Sequence, residues 1–123
     1  DAFRKLRGKG VGILLITHDL RLAERLSDFM AVMYAGEIIE CGKTEDIFSN
    51  PLHPYTKGLF AAAPDRGMKP IRGIPPDLSN LPGGCIFASR CPAYEKTSCD
   101  EKQKMLTPAG NHDARCIRKG GGL

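Results

Sequence analysis

The stretch from Val11 to Cys41, VGILLITHDLRLAERLSDFMAVMYAGEIIEC, decides the fold class. Its opening run Val11–Thr17 is short and continuously apolar, the pattern expected of a strand buried on both faces. Asp19 is a natural helix cap, and Leu22, Ala23, Leu26, Phe29 and Met30 follow at helical spacing. The second apolar run, Phe29–Tyr34, predicts a strand, so the helix must stop near Asp28. Ala35-Gly36 then reads as a turn and Glu37–Cys41 as the hairpin partner. Strand, helix and hairpin in this order predict an α/β layer, although two or three strands do not complete a sheet.

Working outward, Asp1–Arg7 reads as the end of a helix, with Phe3 and Leu6 apolar, Gly8 and Gly10 as stop signals, and Arg4, Lys5, Arg7 and Lys9 favouring its dipole. On the other side Thr44 is placed to cap a short helix through Phe48, with Glu45 and Asp46 in its first turn. Pro51 breaks the chain, Pro54 suits the first position of a further helix over Tyr55–Ala63, and Pro64 closes it. Residues 1–63 thus carry regular patterning. Residues 64–123 differ: proline and glycine are dense, as in Gly73-Ile-Pro-Pro-Asp and Leu81-Pro-Gly-Gly, and apolar periodicity fades. Such a segment has little apolar surface to offset its ordering entropy, so a staple other than a core is expected.

Composition excludes several classes. The net charge of +4 is modest, and the cations lack the aromatic interleaving or motif of a nucleic-acid surface. No apolar run approaches the roughly 20 residues that cross a bilayer, so any membrane link is expected through a partner. The first residues have no signal-peptide core, which makes a cytoplasmic home the default, and the absence of an initiating methionine raises the expectation of a piece of a longer protein.

Cysteine supplies the staple. Cys85, Cys91, Cys99 and Cys116 crowd the last third in a C-x5-C-x7-C-x16-C pattern, while Cys41 stands alone at the hairpin end and reads as a small buried apolar residue. Without a secretory signature, clustered cysteines point to a metal or cluster site before disulfides. Four thiolates close a tetrahedral zinc site or hold an iron–sulfur cluster, and zinc ribbons prefer ligand pairs two to four residues apart, which this pattern lacks. Zinc, cluster, disulfides and free thiols all remain open on spacing alone. Arg90, Arg115 and Arg118 lie beside these cysteines and are candidates for offsetting a cluster's negative charge, whereas His112 reads as a loop histidine. His18, just beyond the carboxyl end of the first strand, sits where open α/β sheets bind ligands. A neutral imidazole there can donate to a phosphate oxygen and accept from a water.

At GVGILLITHDLRLAERLSDFMAVMYAGEIIECGKTEDIF the chain resembles the end of an ABC transporter ATP-binding domain, and the α/β region becomes a partial sheet layer of that fold. The stretch Asn50-Pro-Leu-His-Pro-Tyr-Thr-Lys-Gly-Leu, followed by Ile71–Pro92, resembles the oligopeptide, dipeptide and nickel importer subfamily and its irregular, cysteine-rich C-terminal extension. The resemblance implies that His18 is the switch histidine contacting the terminal phosphate of ATP across a nucleotide-sandwich dimer. It implies that Cys85, Cys91, Cys99 and Cys116 hold a 4Fe-4S cluster in a structural role, with zinc as the alternative.

The resemblance further implies a second ATPase subunit and membrane permease subunits as partners, a peripheral place at the inner face of the membrane, and peptide import driven by ATP and Mg bound in the intact protein. The phosphate loop GxxxxGK[ST], the signature motif and the catalytic acid are absent from this sequence, so no ATP hydrolysis is expected of it alone. The rival expectation is a freestanding zinc- or cluster-binding regulatory or assembly module without enzymatic activity. His53 is expected to precede a helix-starting proline rather than to ligate.

Overall fold

The computed structural model describes residues 2–102, 106–109 and 111–116, the side chains of 106–109 excepted. Helix α1 (Ala2–Arg7) ends at glycine, and Arg7 forms an exposed ion pair with Asp28 at 3.3 Å. Helix α2 (Leu20–Leu26) begins as expected at Asp19, whose side chain accepts from the Leu22 N–H at 3.0 Å. Strands β1 (Phe29–Tyr34) and β2 (Glu37–Lys43) form the antiparallel hairpin, with Tyr34 opposite Glu37. Both turn residues take positive φ, Ala35 at 46° and Gly36 at 83°, the combination that matches the right-handed strand twist.

Helix α3 (Thr44–Ser49) follows directly, and here one expectation is corrected. Lys43 is its N-cap, and Thr44 lies inside the helix with its hydroxyl 2.9 Å from that of Ser27. Helix α4 (Pro54–Ala61) starts at the proline, as its fixed φ and missing N–H favour, and stops short of Ala63. Beyond single 3-10 turns at Pro64–Arg66 and Ala88–Arg90 come helix α5 (Lys96–Cys99) and strands β3 (Leu106–Ala109) and β4 (His112–Ala114). The sheet has the order β1-β2-β4-β3, every neighbouring pair antiparallel.

Val11–Thr17 is not a strand. The run is extended without ladder partners, and Leu14 and Ile16 are 89% and 90% exposed. A strand exists only when a neighbour receives its N–H and C=O groups, and among the described residues none pairs with it. The α/β description therefore holds only in its coarse form: helices on a small antiparallel sheet, with no parallel layer among the described residues.

The core also departs from expectation. Val32, Tyr34, Ile39, Ile47 and Phe60 form one buried cluster with Ile86 and Phe87 from the cysteine-rich segment. Phe87 meets Tyr34 edge-on at 5.3 Å and Tyr55 at 5.5 Å. Phe48 and Phe60 stack at 4.6 Å beneath the Arg66 guanidinium. Residues on both sides of the 63/64 boundary thus share one core, and the proline-rich half enters it through Ile86 and Phe87.

Candidate functional site

His18 lies in the exposed bend between the 11–17 run and α2. Two local hydrogen bonds shape that bend: Asp19 N–H donates to Thr17 Oγ1 at 3.0 Å, and Asp19 accepts from Leu22. The imidazole is thereby presented at a helix start, open to a ligand approaching from solvent.

The four sulfurs of the sequence pattern do come into one neighbourhood. Cys85 is within electrostatic reach of Cys99 and Cys116, and Cys91 of all three others. The first three are organised locally. Cys85 N–H donates to Cys99 C=O at 2.8 Å, closing the 85 and 99 segments on each other. Gly84 makes this possible: a Cβ there would stand 2.4 Å from Cys99 O and 2.6 Å from Asp100 O. Short loops then aim backbone N–H groups at sulfur, from Phe87 and Ala88 to Cys85, from Ala93 to Cys91, and from Glu95 to Cys99 at 3.5 Å.

Electrostatics follow from that arrangement. Burial pushes the Cys85 and Cys91 thiols up, the aimed N–H groups pull the other way, and the neighbouring sulfurs push up again. Crowded sulfurs that repel one another as thiolates, three of which, Cys85, Cys91 and Cys99, are offered N–H donors, are a donor set chemically compatible with a cation. Among the described residues, no three His, Cys, Asp or Glu side chains close tightly enough to grip a metal ion. The fit is in donor chemistry, not in a closed cage: a single tetrahedral zinc needs all its sulfurs at about 2.3 Å, while a multi-iron cluster accepts ligands set further apart. No disulfide joins Cys85, Cys91 and Cys99.

The arginines divide. Arg90 turns to the loop before it, donating to Arg72 C=O at 3.0 Å and lying 5.9 Å from the Tyr34 ring centre. Arg115 turns to β2, its Nε donating to Ile38 C=O and its backbone N–H to Ile39 C=O, both at 2.8 Å, while Arg118 lies outside the described residues. Cys41 is half-buried rather than buried, its thiol pushed up by burial and then by Asp113 and Glu40.

A buried polar node adjoins this site, and sequence reasoning missed it. Glu40 is fully buried on β2, accepting from Leu52 N–H at 2.8 Å and His53 N–H at 2.9 Å. Its Oε1 also lies 2.7 Å from Nε2 of His112, which is 8% exposed on β4 and not a loop residue. His53, 1% exposed, caps α4 through Nδ1, which accepts from Tyr55 N–H at 3.0 Å, and stands directly before the helix-starting Pro54 as expected. Its pKa is lowered to about 4 by burial, against an opposing pull from Glu40. A charged residue between Ile39 and Cys41 gave no local sign of burial, because its partners lie 12 to 72 residues away.

Residues 39–99 match the family described as the oligopeptide/dipeptide transporter, C-terminal region. The chain is 40% identical to the probable D,D-dipeptide transport ATP-binding protein of Escherichia coli over 91% of its length and 35% of that protein's. It is 46% identical to the dipeptide transport ATP-binding protein of Bacillus subtilis over 75% of its length and 29% of that protein's. A putative peptide import ATP-binding protein of Brucella ovis is 37% identical over 96% of the chain and 38% of its own length. The chain thus spans about a third of the length of the curated relatives it matches. With helix, hairpin and the His53-Pro54-Tyr55 helix start all inside the matched region or beside it, the chain belongs to the oligopeptide/dipeptide transporter C-terminal region family.

Proposed function

We propose that this chain serves as the C-terminal portion of an ATP-binding subunit that powers peptide import through an ABC transporter. The carrying observation is the family match over residues 39–99, with relatives named as peptide import ATP-binding proteins. In that role His18 orients the terminal phosphate and the attacking water at a dimer interface, with ATP and Mg supplied by the phosphate loop of the whole subunit. Partners are a second ATPase subunit and the permease subunits, and the place of work is the cytoplasmic face of the membrane. No helix among the described residues is long and apolar enough to cross a membrane.

Cys85, Cys91, Cys99 and Cys116 would hold a 4Fe-4S cluster, whose iron–thiolate bonds contribute folding free energy to a segment with few core residues. The chain's own part is to aim N–H groups at the sulfurs and to bury Ile86 and Phe87 in the core against which Cys85 and Cys91 pack. The test is His18→Ala in a full-length subunit containing this segment. Turnover is expected to fall roughly 100-fold or more with ATP binding retained, since only a transition-state contact is removed. Wild-type turnover in that variant would overturn the assignment of His18.

A further inference from the structure

We propose that Glu40 and His112 are positioning residues for the fourth sulfur: their buried hydrogen bond docks β4 on β2 and so delivers Cys116 to Cys85, Cys91 and Cys99. The inference rests on the four-thiolate reading of the site. The first three cysteines share a local backbone framework, in which Cys85 N–H donates to Cys99 C=O, Tyr94 N–H to Cys91 C=O and Cys99 N–H to Glu95 C=O. Cys116 follows Cys99 by 16 intervening residues and approaches from β4 instead.

Several contacts fix that approach. Glu40 pairs with Ala114 and Cys41 with Asp113, Arg115 N–H donates to Ile39 C=O at 2.8 Å, and Arg115 Nε donates to Ile38 C=O at 2.8 Å. Gly42 admits the close passage, since a Cβ there would lie 3.0 Å from Asn111 O and 3.1 Å from His112 Cα.

Only two residues of β2 pair with β4, too few to specify register by themselves. The carboxylate supplies the specificity. Backbone donors on both its oxygens make Glu40 an acceptor, so His112 Nε2 donates. A one-residue slip of β4 would turn His112 to the opposite face and leave a fully buried carboxylate short of a partner, which is strongly disfavoured. The hairpin of the ATP-binding half, not the extension itself, thereby sets the position of the last ligand.

The experiment uses the whole chain, reduced and metal-free, under pulsed alkylation with N-ethylmaleimide and peptide mass spectrometry. In His112→Ala, Cys116 labelling is expected to accelerate about tenfold while Cys85, Cys91 and Cys99 change less than about twofold, as local opening of one strand demands. His112→Gln, whose amide can reach Glu40, is expected to restore the slow rate; His112→Asn, one methylene shorter, is not. If the alanine variant does not fold, the glutamine and asparagine pair carries the same comparison. Unchanged Cys116 labelling, equal acceleration at all four cysteines, or Gln and Asn behaving alike would overturn the proposal. No metal is added, so the result is independent of cluster uptake, which iron and sulfide assay of the wild type decides separately.

Discussion

At the residue scale, Phe87 and His53 carry more than their local sequence announced. Phe87 is 1% exposed and touches rings from β1 and α4, so Phe87→Ala should destabilise the chain by about 3–5 kcal/mol in denaturant unfolding. His53 makes stability depend on pH with a definite sign. Burial lowers its pKa from 6.5 to about 4, so between those values the unfolded chain binds more protons than the folded one. Stability from this residue is then fully present above about pH 6.5 and declines as pH falls towards 4, by on the order of 3 kcal/mol in all. Unfolding titrations across that window should show the slope in wild type and its reduction in His53→Gln. The histidine's capping position was readable from Pro54 beside it. The burial was not, since it depends on Phe87 arriving from more than thirty residues away.

At the element scale, what local chemistry dictates was legible: the Asp19 cap, the Ala35-Gly36 turn and the proline start of α4 each involve neighbours within four residues. What long-range pairing dictates was not. Val11–Thr17 has the composition of a buried strand but no ladder partner among the described residues, and composition alone cannot supply one. The amides of residues 12–17 should accordingly exchange with deuterium near intrinsic rates in this chain, while those of the β1–β2 hairpin are protected; protection of residues 12–17 would contradict the extended, unpaired description. Gly84→Ala probes the Cys85–Cys99 closure. A Cβ meeting Cys99 O at 2.4 Å forces backbone to move, and a loss of about 1–3 kcal/mol is expected in thermal or denaturant unfolding.

At the scale of the whole molecule, composition divided the chain near residue 63, yet the core crosses that line through Ile86 and Phe87. A proline-rich segment still packs when a few of its side chains enter a neighbour's core, as Ile86 and Phe87 do here. The four-cysteine set was legible as a set from spacing. Its assembly was not, because Cys116 arrives on a strand whose register is set by the buried Glu40–His112 contact with β2. His18 is exposed and the 11–17 run is extended, and the chain spans about a third of the length of the relatives it matches.

The most direct test of the central claim is anaerobic reconstitution of the whole chain followed by iron and acid-labile sulfide analysis, wild type beside Cys91→Ser. About four irons and four sulfides per wild-type chain are expected, with little retained by the variant and protease protection of residues 70–102 that depends on loading. Stoichiometric zinc in place of iron, or no bound metal with equal protection in both proteins, would overturn the four-thiolate cluster.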